Sequence, residues 1–167
     1  MIPSFEILMK TKLALLSAAL AASLVAAPAF AKTFKWSSAS DIPTLDIHSQ
    51  NNALGNGVHA SIYESLVYYN STTFKPEGQL AISWSQVSPT QMRFVLRPGV
   101  KFSDGSPLTA DDVVYSIMRA MAKTSNYAVY TQGIDQAVKV NDATVDLIIK
   151  GPNPVLLNQL TELRTIS

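Results

Sequence analysis

Residues 96–116 read LRPGVKFSDGSPLTADDVVYS, and the order of residue types in that stretch sets a strand end, a tight turn and a capped helix in succession. Met92, Phe94 and Leu96 fall on one face of an expected strand over 92–96, because successive strand side chains point to opposite sides. Asp104-Gly105-Ser106-Pro107 has the composition of a turn. Thr109-Ala110-Asp111-Asp112 is a capping-box variant, in which the Thr109 hydroxyl and the Asp112 carboxylate each satisfy a backbone N–H that the first helical turn leaves unpaired. The helix behind it is expected to bury Val113, Val114, Ile117, Met118 and Met121 as one stripe.

Downstream, 136–140 and 144–149 read as a hairpin joined at Asn141-Asp142. Asn153-Pro154 opens a last helix carrying Leu156, Leu157, Leu160 and Leu163, with proline suited to a first helical position. Upstream, the pattern gives a turn-rich stretch through Pro76 and Gly78 and a short strand at 66–69. Before these comes a helix over 53–66 with Val58, Ile62, Tyr63 and Leu66 on one face, whose first turn Gly55 and Gly57 weaken. A polar loop covers 40–52, and residues 33–37 alternate as a half-buried strand does. Mixed strands and helices make the class α/β.

The first thirty-one residues are of another kind. Lys10 and Lys12 precede an apolar run that ends at Ala29-Phe30-Ala31, a small-residue site of the type signal peptidase cuts. Cleavage is expected between Ala31 and Lys32, leaving one domain over 32–167. Met9 is the better start, since residues 1–8 carry Glu6 and no base. An uncleaved anchor fits less well, because the apolar stretch falls short of the ~20 residues of a spanning helix. With 47% apolar and 15% charged residues and a net charge of +1, bulk charge argues for neither nucleic acid nor an anionic membrane. The absence of cysteine excludes disulfides, thiolate metal sites and a lipidated N-terminal cysteine.

Catalytic patterns are missing. His48 and His59 lie in different segments outside any H-E-x-x-H pattern and read as surface or loop histidines, so no metal is expected. No nucleophile elbow, phosphate loop or dinucleotide fingerprint occurs, and no cofactor or catalytic residue is assigned. Asp111 and Asp112 point about 100° apart on a helix, and the cap already explains them. Tyr127 and Tyr130 follow a helix within polar sequence. A loop tyrosine offers a flat face and a hydroxyl to a cleft, or else covers the end of the helix.

The 96–116 stretch resembles the signature segment of extracellular solute-binding protein family 5. Thr44-Leu45-Asp46, Tyr63-Glu64-Ser65-Leu66-Val67, Leu80-Ala81-x-Ser83-Trp84 and Lys150-Gly151-Pro152-Asn153-Pro154 match its other early landmarks in order. The resemblance implies a two-lobed periplasmic protein, a monomer at full length, that closes over a peptide or related small solute and docks on the membrane subunits of an ABC importer. This chain would then be a truncated N-terminal part of the first lobe, neither binding peptide tightly nor packing well alone. Ligand contacts carry over to Ser49, Gln50, Asn51 and Asn52 and to Tyr127 and Tyr130, with Ile47 standing where many members have proline. The alternative is a secreted non-transport domain or enzyme that reuses the scaffold.

Overall fold

Alternation in 91–96 and 144–149 produces the two central strands of the molecule. In this computed structural model, which describes residues 33–35, 37, 38 and 40–167, they are β4 (Gln91–Leu96) and β6 (Thr144–Ile149). β3 (Ala81–Ser88) flanks β4 and β5 (Ile134–Asn141) flanks β6, giving the fully antiparallel order β3-β4-β6-β5. The register pairs Phe94 with Trp84 on one side and Val145 on the other, so an apolar row crosses β3, β4 and β6 on one face of the sheet. Phe94, Val145 and Leu147 are fully buried on it.

That face is covered by α2 (Ala110–Met121), which packs on β5 and β6. Its cap closes through the carboxylate: the Thr109 N–H and hydroxyl both donate to Asp112 Oδ2, at 2.8 and 3.0 Å. The buried stripe is Ala110, Val113, Ser116, Ile117 and Ala120. The expected stripe holds at Val113 and Ile117, with Val114 and Met121 packed at its edge, and departs at Met118, which is 44% exposed while the smaller Ala110, Ser116 and Ala120 are buried. On the opposite face of the sheet, Arg93 forms a two-pronged bond to Asp146 (Nε to Oδ1 2.7 Å, Nη2 to Oδ2 2.8 Å), and Gln91 donates to the same carboxylate at 2.7 Å.

A two-stranded hairpin of β1 (Val67–Asn70) and β2 (Lys75–Gly78) precedes the sheet, and α1 (Ala53–Ile62) precedes the hairpin. α3 (Leu156–Leu160) follows the sheet and buries Leu156 and Leu160. Residues 38–167 form one compact unit.

Several expectations are corrected. The stretch 75–78, read as turn-rich, is a strand, because Pro76 lies on a two-stranded ribbon where a missing N–H is tolerated. The first helix stops at Ile62, where Tyr63 turns extended, and it buries Gly55 and His59 while Ile62 is 53% exposed. The last helix is only five residues long. Residues 33–35 and 37 carry no strand, and Phe34 is 85% exposed: alternation forms a strand only against a ladder partner, and none is found among the described residues. The targeting segment and its cleavage site lie outside the described residues.

Candidate functional site

The polar loop before α1 is built on Asp46. Its carboxylate accepts the His48 N–H at 3.1 Å, and its carbonyl accepts the Ser49 N–H at 3.2 Å and the Ser49 hydroxyl at 2.9 Å. Buried Ile47 anchors this turn from below. Five residues after Ile47, Asn52 caps α1 by accepting the Gly55 N–H at 2.8 Å, and its amide donates to Gln50 Oε1 at 3.2 Å. A Cβ at Gly55 would stand 3.2 Å from Asn52 Oδ1, so the close approach of cap and helix favours glycine there.

The loop meets the segment that follows α2. The Asn126 N–H donates to the His48 carbonyl at 2.9 Å, and its side-chain amide donates to the Ser49 carbonyl. Asn51 Nδ2 lies 3.4 Å from both the Asn126 carbonyl and the Tyr130 hydroxyl. Asn56 donates to Asn51 Oδ1 at 2.8 Å and accepts the Tyr127 hydroxyl at 2.7 Å. Two regions more than seventy residues apart thus form one polar network that brings Asn51, Tyr127 and Tyr130 together. Ser49 and Gln50 are half-buried and Asn51 and Asn52 exposed. Tyr130 is half-buried, whereas Tyr127 is 2% exposed and holds its neighbours in place from beneath.

An ionic clasp fastens the same two regions. Arg119, in the last turn of α2, donates from Nη1 to Asp46 Oδ1 at 2.9 Å and from Nη2 to Oδ2 at 2.7 Å. This forked bond holds the Asp46 carboxyl down at about 2. Arg119 Nη1 also lies 3.0 Å from His48 Nδ1. Burial, and then the adjacent guanidinium, lower His48 to about 4. Sequence reasoning missed Arg119; an arginine in the last turn of a helix reads first as a complement to the helix dipole. Both histidines prove buried, His48 at 3% and His59 at 1% exposure, and neither ring nitrogen of His59 bonds to a described residue.

The Asp46–Arg119 pair stands between two concavities. A groove of about 1110 Å³ is lined by Tyr63, Glu64, Arg97, Phe102, Tyr115 and their neighbours, and a hollow of about 170 Å³ by His48, Ser49 and Ser125 among others. Ser49 alone of the sequence-derived ligand residues lines either one. Among the described residues no cluster of three or more His, Cys, Asp or Glu could hold a metal, and no helix is long and apolar enough to cross a membrane.

The chain belongs to the bacterial extracellular solute-binding proteins, family 5, whose middle-region model matches residues 75–166, more than half its length. It is 34% identical over 102 residues to the HTH-type transcriptional regulator SgrR of Escherichia coli (strain K12), covering 59% of this chain and 18% of that one. The binding protein MoaA from A. tumefaciens R10, solved in complex with mannopinic acid, is 28% identical with a TM-score of 0.68, over 75% of this chain and 27% of that one. The substrate-binding domain of an oligopeptide ABC transporter from Bacillus anthracis str. Ames shares the fold at 22% identity and a TM-score of 0.72, over 79% and 29%. The chain therefore spans less than a third of the relatives it matches. Family and fold point to binding proteins rather than enzymes.

Proposed function

We propose that this chain is part of the periplasmic capture component of an ABC importer, exported by cleavage between Ala31 and Lys32. Its ligand is a peptide or a related small solute. Family membership over residues 75–166 carries the reading. The loop residues Ser49, Gln50, Asn51 and Asn52, with Tyr130, border the cleft, and Tyr127 supports them from the core. Exposed amides beside a tyrosine hydroxyl offer donors and acceptors to a peptide backbone without demanding a given side chain. Residues 32–167 supply one wall of such a cleft. A site that buries ~70 to 90% of a small ligand needs a second wall, which in the family's architecture is the other lobe.

N-terminal sequencing of the periplasmic fraction tests export and is expected to begin at Lys32; retention in the membrane would overturn that part. Calorimetric titration against a di- to pentapeptide pool and against mannopinic acid tests the ligand class. Substituting Asn51 in a protein carrying both lobes is expected to weaken whichever solute binds. The similarity to SgrR favours a second reading, a solute-sensing module outside transport, and importer subunits failing to co-purify with the liganded protein would favour it.

A further inference from the structure

We propose that Asp46, Arg119 and His48 form a clasp that positions loop 49–52 and releases it when His48 takes up a proton. The function of the positioned loop rests on the ligand reading above; the clasp itself does not. A guanidinium has five N–H donors, no acceptor and a permanent charge. Its Nη1 stands 3.0 Å from His48 Nδ1, so Nδ1 is the acceptor and the imidazole is neutral with its proton on Nε2. A second proton on the ring would set N–H against N–H at that distance and two positive charges side by side. At 3% exposure His48 has little water to solvate that charge.

The groups that face His48 come from three directions. Asp46 lies on its own loop, Arg119 projects from α2, and the Tyr127 ring, from the loop after α2, is centred 5.6 Å away. The Tyr127 hydroxyl is pushed up by burial and bonds to Asn56, so it stays neutral throughout. Asp46 alone favours a charged ring, and its carboxylate is already committed to the guanidinium fork. Burial and Arg119 prevail, holding His48 at about 4 against an ordinary 6.5. The unfolded or opened loop therefore binds the proton more readily, and closure weakens as pH falls from about 6.5 through about 4. Release reaches the ligand loop directly, because the turn that starts at Asp46 runs into Ser49, Gln50, Asn51 and Asn52.

The test needs no ligand. In the full chain, protection of the His48, Ser49 and Asn126 amides, which bond within and onto the loop, is followed by hydrogen exchange from about pH 7 to about pH 4, above the range in which Asp46 loses its charge, with β4 and β6 amides as internal controls and the His48 ring titrated by NMR. Loop protection is expected to fall by about tenfold or more toward pH 4 while the controls hold. His48→Asn keeps an acceptor toward Arg119 but takes no charge, and is expected to stay protected down to about pH 4, below which Asp46 begins to lose its own charge. Arg119→Lys lacks the fork and is expected to lose loop protection at every pH. A wild-type loop indifferent to pH, or His48→Asn tracking the wild type downward, overturns the proposal. An Asn51 substitution that leaves solute binding intact overturns only the ligand reading.

Discussion

Residues 91–121 and the pair of loops at 44–52 and 119–130 are held by opposite means. In the first, β4 takes its place from the sheet, but the turn and helix behind it are set by contacts short in sequence: a cap across three residues, a turn across two, a Ser116 hydroxyl bonded to the Asp112 carbonyl at 2.6 Å. In the second, the bonds that fasten one loop to the other join residues 71 to 79 positions apart. Local chemistry makes a rigid platform, and long-range polar bonds lay an adjustable surface across it. Such a surface opens at lower free energy than the sheet beneath, which suits a part that must meet a solute.

The largest effect separating the two regions is expected at Phe94. The ring is fully buried between Trp84 and Val145, so Phe94→Ala is expected to lower stability by about 3 to 5 kcal/mol and to unfold platform and loops together. Denaturant melts followed by tryptophan fluorescence and by amide exchange at Ser49 and Asn126 check it. Loops that melt well before the platform would show that the two are less coupled than the packing implies.

Next comes Arg119→Ala. It removes two charge-assisted bonds and leaves the partly exposed Asp46 carboxylate to water, for a cost of about 1.5 to 3 kcal/mol. Loop protection is expected to fall further than global stability. The same substitution removes what holds Asp46 low. Acid sensitivity between about 4 and about 2, where Asp46 would otherwise lose its bonded charge, is therefore expected to shrink; an unchanged acid limb would place that sensitivity elsewhere.

At the helix cap the two partners are unequal. Asp112 accepts both Thr109 groups, so Asp112→Ala is expected to cost about 1 to 2 kcal/mol and Thr109→Ala less, about 0.5 to 1, with solute affinity untouched in both. Thermal melts of the two variants decide the order. The reverse order would mean that the hydroxyl, not the carboxylate, holds the cap.

The same division explains what was legible in the sequence. Strand β4, the turn at Gly105, the cap at Thr109 and the 144–149 hairpin arm follow from residues within a few positions of one another. Strand β3 was invisible because Ile82, Ser83, Trp84, Ser85, Gln86 and Val87 follow no clean alternation; its ladder with β4, register shifts included, makes it a strand. Helix α2 was placed correctly and its stripe departs only at Met118, since hydrophobicity favours Met118 while packing favours Ala120. Of the polar network, the 49–52 loop was pointed to by family resemblance, and Tyr127 and Tyr130 already by their place in polar sequence after a helix. The Asp46–Arg119 clasp was not, because no local pattern tells an arginine which carboxylate it will meet 73 residues away.

The smallest expected effect sharpens the comparison at its edge. Phe74, in the turn between β1 and β2, holds φ +54 and is 72% exposed, so its ring buries little while its Cβ crowds the following carbonyl. That conformation costs an L-residue roughly 1 to 2 kcal/mol. Glycine removes the crowding but loses about 0.5 to 1 kcal/mol more conformational freedom on folding. Phe74→Gly is therefore expected to raise stability by about 0.5 kcal/mol, whereas Phe74→Ala keeps the strain and gains nothing. Paired thermal melts of the two variants isolate the backbone contribution, since both delete the ring. If both lose stability equally, the ring contributes more than its exposure implies, and the hairpin belongs with the long-range surface rather than with the locally built platform.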